Sequence, residues 1–112
     1  MDQISTPWPD VAWIRRLSSR RIRPTHNDVL LLIEVSDSSL KQVLGEKADL
    51  YAEYGVVEYW VIDVNLEQVH VHRGPADGRY CSVIVFGKPA SLAPLCQPLA
   101  TLYLTELFDS DA

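Results

Sequence analysis

Runs of hydrophobic residues separated by polar stretches predict the strands of a sheet. Residues 10–15 (DVAWIR) are rich in Val, Trp and Ile, which favour strands. Residues 29–35 (VLLLIEV) are apolar on both faces, as expected of a central strand that is covered on both sides. Residues 56–64 (VVEYWVIDV) predict a third strand, and residues 69–72 and 80–86 predict a hairpin.

Between the second and third strands, the spacing of apolar residues predicts one main helix. Ser39 and Gln42 fit a capping box at its start, and Gly55 stands where a C-terminal glycine cap belongs. Gly45 would lie inside this helix and cost about 1 kcal/mol relative to Ala. The predicted buried stripe contains Leu40, Val43, Leu44, Leu50, Tyr51 and Tyr54.

The last part of the chain, residues 92–108, is apolar and interrupted by prolines. It predicts a short strand and one helical turn that pack over the sheet. The order β-β-α-β-β-β, with one main helix, is typical of an α+β fold. At 112 residues, with no repeat or linker, residues 1–112 are expected to form a single domain.

The composition, with 47% hydrophobic and 22% charged residues, is typical of a globular protein. The longest aliphatic run, residues 29–33, is too short to span a bilayer, and no signal segment opens the chain. Cys81 and Cys96 are far apart in the sequence, which indicates free thiols in a reducing compartment. A cytoplasmic protein without membrane contact is therefore expected.

The net charge of −5 argues mildly against a nucleic-acid partner, but the basic residues are unevenly distributed. Five of the ten basic residues lie within residues 15–23, and a local arginine cluster can bind phosphates in an acidic protein. Arg20, Arg21 and Arg23 are therefore candidates for contacts with DNA. The alternative is a solvated surface loop.

Three charged residues lie where the hydrophobic pattern predicts burial or a strand. Glu34 lies inside the most hydrophobic run, Lys47 in the middle of the apolar helix face, and Asp10 at the start of the first strand. A buried carboxylate or ammonium needs an opposite charge, a metal ion or strong hydrogen-bond donors. These residues are therefore expected to have partners in the fold.

An antiparallel pairing of the first two strands, with Asp10 opposite Glu34, puts both carboxylates on one face at one end of the sheet. The helix that follows Glu34 must fold back over a face of the sheet, which brings Lys47 onto the pair. The same register predicts two apolar pairs. It places Ala12 opposite Leu32 and Ile14 opposite Leu30.

Two carboxylates and a lysine suit the hydrolysis of a phosphodiester. Asp10 and Glu34 would hold a hard divalent cation, Mg²⁺ or Mn²⁺, together with a backbone carbonyl such as that of Val35. The cation would activate water, while Lys47 would orient that water or offset charge on the phosphoryl group. The alternative is a buried salt bridge among the three residues, without a metal.

Several motifs occur in a fixed order along the chain: PD at residues 9–10, IEV at 33–35, GEK at 45–47 and EYWVID at 58–63. With the phrase LLIEVSDSSL at residues 31–40, they resemble the Uma-type putative restriction endonuclease family, a branch of the PD-(D/E)XK nuclease superfamily. The resemblance implies a restriction-endonuclease-like core, in which one main helix packs on a mixed, twisted sheet. It also implies Mg²⁺-dependent cleavage of DNA.

Position by position, the resemblance implies that Asp10 is the PD aspartate and Glu34 the second metal-binding acid. Ser36 stands where the superfamily usually has a lysine, and in this branch that lysine is expected on the following helix, at Lys47. Val43 replaces an aspartate that the family often carries four residues before the helical lysine.

The family also carries an N-terminal helix and a first core strand before the PD motif, and this chain is expected to lack them. Their absence would leave a sheet edge uncovered, which predicts a homodimer that covers it. The alternative to an active nuclease is an inactive nuclease-like module that binds DNA or protein, or a truncated remnant.

Other chemically capable residues have simpler interpretations. His70 and His72 share one face of a strand, and an exposed strand face explains them better than a metal site. Asp63 is interpreted as a turn residue, and Trp60 as part of the core.

Overall fold

The computed structural model describes residues 10–15, 26–36 and 44–109, which form a five-stranded sheet with a helix on one face. The strands are β1 (Val11–Ile14), β2 (Val29–Ser36), β3 (Glu58–Asp63), β4 (Gln68–Ala76), β5 (Arg79–Gly87), β6 (Ser91–Leu92) and β7 (Leu102–Tyr103). The helices are α1 (Glu46–Glu53) and α2 (Leu104–Phe108), and a 3-10 turn spans His26–Asp28. This architecture confirms the α+β class.

The main sheet has the order β1-β2-β3-β4-β5 and mixed strand directions. β1 and β2 are antiparallel, and Ala12 opposes Leu32 as predicted. The predicted pair of Ile14 with Leu30 is wrong, because the register shifts just before Ile14 and places it opposite Val29. β2 and β3 are parallel, since the chain crosses over between them through α1, and β3, β4 and β5 are antiparallel.

The two faces of the sheet carry separate hydrophobic clusters, because successive side chains of a strand point in opposite directions. The face that packs against α1 contributes to a cluster of Leu32, Ala48, Tyr51, Val56, Tyr59 and Val61. The opposite face packs with the C-terminal segment in a cluster of Leu31, Trp60, Ile62, Val69, Val71, Leu92 and Leu104. Trp60 is thus a core residue, as predicted.

Gly45 caps the start of α1, directly before Glu46, and Leu44 before it is also helical, so the glycine interrupts the helical stretch. The predicted capping pair of Ser39 and Gln42 lies outside the described residues. Tyr54, predicted in the buried stripe, is 51% exposed, because it follows the last helical residue and points away from the sheet.

The end of α1 confirms the predicted glycine cap. Gly55 has a φ of +80°, a left-handed conformation that glycine adopts without steric penalty. Its N–H donates to Ala52 O at 3.0 Å, and the N–H of Val56 donates to Tyr51 O at 3.0 Å. These two bonds form a Schellman motif, which satisfies carbonyl groups at the helix end.

The hairpin of β4 and β5 turns through Asp77 and Gly78, which both have positive φ. Positive φ at both central residues defines a type I′ turn, the geometry that matches the twist of a hairpin. After the hairpin, β7 leads into α2, and Leu104 is fully buried against the sheet. The predicted strand and helical turn at the C-terminus are therefore confirmed.

The outer strand β1 is exposed along its whole length. Its residues Val11 and Ile14 are 42% and 43% exposed. Beside β1, on the face opposite α1, lies an apolar groove of about 320 Å³, whose walls include Trp13, Ile33 and Leu102. Within the described residues, no helix is long and apolar enough to cross a membrane.

Candidate active site

Glu34 and Lys47 form an ion pair between the sheet and α1. Lys47 Nζ donates to Glu34 Oε2 at 2.6 Å, and the two side chains are 15% and 5% exposed. Alternation along β2 puts Glu34 on the same face as Leu32, which packs in the cluster beneath α1. The first turn of α1 carries Lys47 to this face, so each charge has a partner of opposite sign.

Asp10 lies directly before β1, and its carboxylate reaches across the hairpin to β2. Asp10 Oδ2 accepts a hydrogen bond from the N–H of Val35 at 2.7 Å. Val35 follows Glu34 in the sequence, so the Asp10 carboxylate is held next to the residue that carries the second acid. The exposed Asp10 is the solvent side of this site, and the buried Glu34 is its inner side.

Tyr51 and Tyr59 lie on the buried side of this site. Burial raises the pKa of the Tyr59 hydroxyl, the negative charge of Glu34 raises it further, and Asp10 makes a smaller contribution. Burial and then Glu34 also raise the pKa of Tyr51. The Tyr51 and Tyr59 rings meet edge to face with centroids 5.0 Å apart, and they form the apolar inner wall of the site.

The donor set of this site fits a hydrated hard cation. The two hydrogen bonds use one oxygen of Asp10 and one of Glu34, so each carboxylate has a second oxygen to offer. In the described parts of the chain, no three His, Cys, Asp or Glu side chains are grouped to hold a metal ion. A cation would therefore rest on two carboxylates, the Val35 carbonyl and water, a sparse protein shell that suits Mg²⁺.

The candidate DNA contacts Arg20, Arg21 and Arg23 lie outside the described residues, and so does Val43. Arg15, at the start of the arginine segment, is described. Its guanidinium pairs with the buried carboxylate of Asp28, and its N–H donates to Asp28 O at 2.7 Å. Arg15 therefore anchors the end of β1 to the residue before β2.

The histidines of β4 do not lie on an exposed face, and that prediction is wrong. His72 is 3% exposed, and its Nδ1 lies 3.1 Å from Tyr59 O. His70 is partly buried, and burial lowers the pKa of both imidazoles. Pairing with β3 explains this, because His70 and His72 oppose Val61 and Tyr59, whose side chains face α1.

Asp63 is the last residue of β3, and its side chain caps the turn that follows, in line with its interpretation as a turn residue. Its Oδ1 accepts hydrogen bonds from the N–H groups of Asn65 and Leu66 at 3.0 and 3.1 Å. This pattern is an Asx turn, in which a side-chain oxygen replaces a backbone acceptor. The other carboxylate oxygen, Oδ2, is buried without a hydrogen-bond partner.

Sequence reasoning missed the carboxylate of Glu58, which is fully buried on the face opposite α1. Glu58 accepts hydrogen bonds from Trp60 Nε1, Arg73 Nε and the N–H of Leu95, each at 2.8 Å. Arg73 also donates to Ala93 O at 3.0 Å. The signal that identified Glu34, an acid inside an apolar run, was present here as well.

Comparison with known proteins adds a family and a fold. The Uma2 family, described as putative restriction endonuclease, matches residues 3–105. A similar fold occurs in the crystal structure of a putative nuclease belonging to DUF820 from Anabaena variabilis, with a TM-score of 0.54 and 23% sequence identity. That alignment covers 72% of this chain and 44% of the nuclease, so this chain spans less than half of its length.

No curated protein matches this chain. The family match nevertheless covers nearly all of the sequence, and it confirms the resemblance that the ordered motifs indicated. The chain belongs to the Uma2 putative restriction endonuclease family.

Proposed function

We propose that this protein is a divalent-metal-dependent endonuclease that hydrolyses phosphodiester bonds of DNA. The observation that carries the proposal is the contact of Lys47 Nζ with Glu34 Oε2 at 2.6 Å, with the Asp10 carboxylate bound to the neighbouring Val35 amide. Glu34 of β2 contacts Lys47 of α1, and Asp10 binds the amide of the residue after Glu34. Membership of a nuclease-like family supports the same class of reaction.

Asp10 and Glu34, with the Val35 carbonyl, would bind Mg²⁺ or Mn²⁺. Such a cation lowers the pKa of bound water and neutralises charge on a phosphoryl group. The Val35 amide orients Asp10 towards this position. Lys47, which contacts Glu34, would donate a hydrogen bond to the attacking water or to a phosphoryl oxygen. The buried Tyr51 and Tyr59 exclude water from the inner side of the site.

DNA is the proposed substrate and partner. Arg20, Arg21 and Arg23, which follow β1 in the sequence, would bind its phosphates. A homodimer formed through β1 is part of the proposal, because this edge strand exposes Val11, Trp13 and Ile14. A second copy would cover these apolar side chains.

The second candidate function is a catalytically inactive, nuclease-like binding module. The Lys47–Glu34 pair favours it, because the two charges already satisfy each other without a cation. In such a module the same residues would hold α1 on the sheet, and DNA or protein binding would not depend on Mg²⁺.

A plasmid-nicking assay distinguishes the two functions. Supercoiled plasmid is incubated with the wild type, Glu34→Gln and Glu106→Gln in Mg²⁺, in Mn²⁺ and in EDTA. Glu106 is an exposed glutamate of α2, which makes its substitution a matched control. We expect metal-dependent nicking by the wild type and Glu106→Gln, and a loss of about a hundredfold or more in Glu34→Gln. Folded wild type that nicks no faster than Glu34→Gln would favour the binding module.

A further inference from the structure

Three buried polar atoms without a hydrogen-bond partner lie at one end of the sheet. Within the described residues they are Ser36 Oγ, Asp63 Oδ2 and His70 Nε2. Ser36 and Asp63 oppose each other across β2 and β3, so their side chains share a face. His70 opposes Val61, two residues before Asp63, and therefore points to that same face.

These atoms are too strongly polar to remain buried alone. Ser36 and Asp63 are each 2% exposed. The Asx turn satisfies only Oδ1 of Asp63, and no described cationic side chain pairs with its Oδ2. A buried carboxylate oxygen without a donor or a cation is costly, and native proteins usually supply water or an ion at such places.

The chemistry of the three atoms suits a metal ion better than water alone. A carboxylate oxygen brings negative charge, an imidazole nitrogen is a strong ligand for transition metals, and a hydroxyl is a weak additional donor. The neutral form of an imidazole binds metals, and the buried Nε2 of His70 has no hydrogen-bond partner among the described residues. His70 is only partly buried, and this side of the cluster gives an ion a path from solvent.

We propose that Ser36, Asp63 and His70 form a second divalent-cation site, separate from the Asp10–Glu34 centre. The nitrogen ligand makes Mn²⁺ or Zn²⁺ its preferred ion over Mg²⁺. Two of its ligands are His or Asp side chains, and the described residues contain no group of three or more His, Cys, Asp or Glu side chains that could hold a metal ion. Water would therefore complete the coordination shell. A bound cation would tie the end of β2 to the turn after β3.

The two sites share no ligand, and Val61 separates His70 of the second site from Glu34 of the first. In the row across the sheet, Val61 lies between Glu34 on β2 and His70 on β4, and it is fully buried. Glu34 is not one of the proposed ligands of the second site, so Glu34→Gln removes a ligand of the first site only. Cation binding at the second site does not require nuclease activity. Each can therefore be tested without the other.

Calorimetric titration with Mn²⁺ tests the second site in a Glu34→Gln background. Asp63→Asn is the main variant, because the Asn amide oxygen still accepts from Asn65 and Leu66 and keeps the turn. Asp77→Asn, in the exposed type I′ turn, is the matched control. We expect Glu34→Gln, with or without Asp77→Asn, to bind one Mn²⁺ ion, and Asp63→Asn to weaken that binding about tenfold or more. Mg²⁺ should bind weakly to all of these variants.

A second substitution protects the test against misfolding. His70→Phe keeps a ring of similar shape and removes the nitrogen, and it should weaken Mn²⁺ binding in the same background while circular dichroism stays unchanged. If Glu34→Gln binds no Mn²⁺, or if Asp63→Asn and His70→Phe leave its Kd unchanged, the cluster holds water only and the proposal is wrong.

Discussion

Lys47 Nζ lies 2.6 Å from Glu34 Oε2, and the side chains of both residues are largely excluded from water. This ion pair joins α1 to β2. A pair of this kind stabilises the fold only as long as both charges remain, because each one would be costly to bury alone. The candidate catalytic lysine is therefore also part of the packing of α1.

Lys47→Met tests this double role. The substitution keeps an unbranched apolar stem but leaves the Glu34 carboxylate without its cation. We expect a loss of about 3–5 kcal/mol in the free energy of unfolding, measured in urea at pH 7. The double variant Glu34→Gln with Lys47→Met should recover most of this loss, since neither buried charge remains.

Lys88→Met is the matched control, because Lys88 makes its ion pairs with Glu67 and Asp109 at the surface. Its substitution should change stability little. Equal stability of Lys47→Met and wild type would contradict the account, and it would mean that another group neutralises Glu34.

Burial of Glu34 follows from the sequence, since a carboxylate within an apolar run of a central strand has to be covered. Glu58 carries the same signal, yet it lies on the opposite face and pairs with Arg73. Which face Glu58 occupies depends on whether odd or even residues of β3 point towards α1. Its partner depends on the register of β3 with β4, in which Glu58 opposes Arg73. Neither can be read from local sequence, so the pattern predicts buried acids but not their partners.

Glu58→Gln tests the role of this second buried acid. The substitution replaces one acceptor oxygen with an amide donor in a site where Trp60, Arg73 and Leu95 all donate. We expect the free energy of unfolding to fall by about 2–4 kcal/mol, because a donor then faces donors and Arg73 loses its counter-charge. Urea unfolding measures the change, and Glu106→Gln at the surface should leave it within about 0.5 kcal/mol of wild type.

Nicking activity per folded molecule should be unchanged in Glu58→Gln, since this acid faces away from Glu34 and Asp10. Loss of activity without loss of stability would contradict a purely structural role.

The elements of the fold were more predictable than their details. Gly55 marked the end of α1 because a left-handed residue is needed there, and few residues other than glycine accept it. The pairing of Ile14 with Val29, and not with Leu30, was not predictable. A bulge changes the register of two strands without changing the hydrophobic pattern. The burial of His72 also depended on a distant element, since α1 covers the face that β4 shares with β3.

The two free thiols should differ in reactivity. Cys81 is exposed, whereas Cys96 is partly buried, and burial followed by the charge of Glu58 raises the pKa of the Cys96 thiol. A smaller fraction of the Cys96 thiol is therefore ionised at a given pH than in an ordinary exposed cysteine. The thiolate is the form that reacts. We expect iodoacetamide at pH 8 to modify Cys81 first, and the rate at Cys96 to keep rising as the pH increases towards 10.

Single variants make this measurement clean, because Cys96→Ser reports on Cys81 alone and Cys81→Ser reports on Cys96 alone. Mass spectrometry gives the labelling rate of each. Equal rates for the two thiols at pH 8 would contradict the burial of Cys96.

Gly55→Ala isolates the backbone contribution to the position of α1. A Cβ at this residue would contact nothing within 4 Å, so the penalty comes from the φ of +80° alone. We expect a loss of about 1–2 kcal/mol in the free energy of unfolding by urea. Gly87→Ala is the matched control, because its Cβ also has open space and no positive φ is required. The second variant should be neutral, so an equal loss in both would mean that the left-handed backbone does not set the penalty at Gly55.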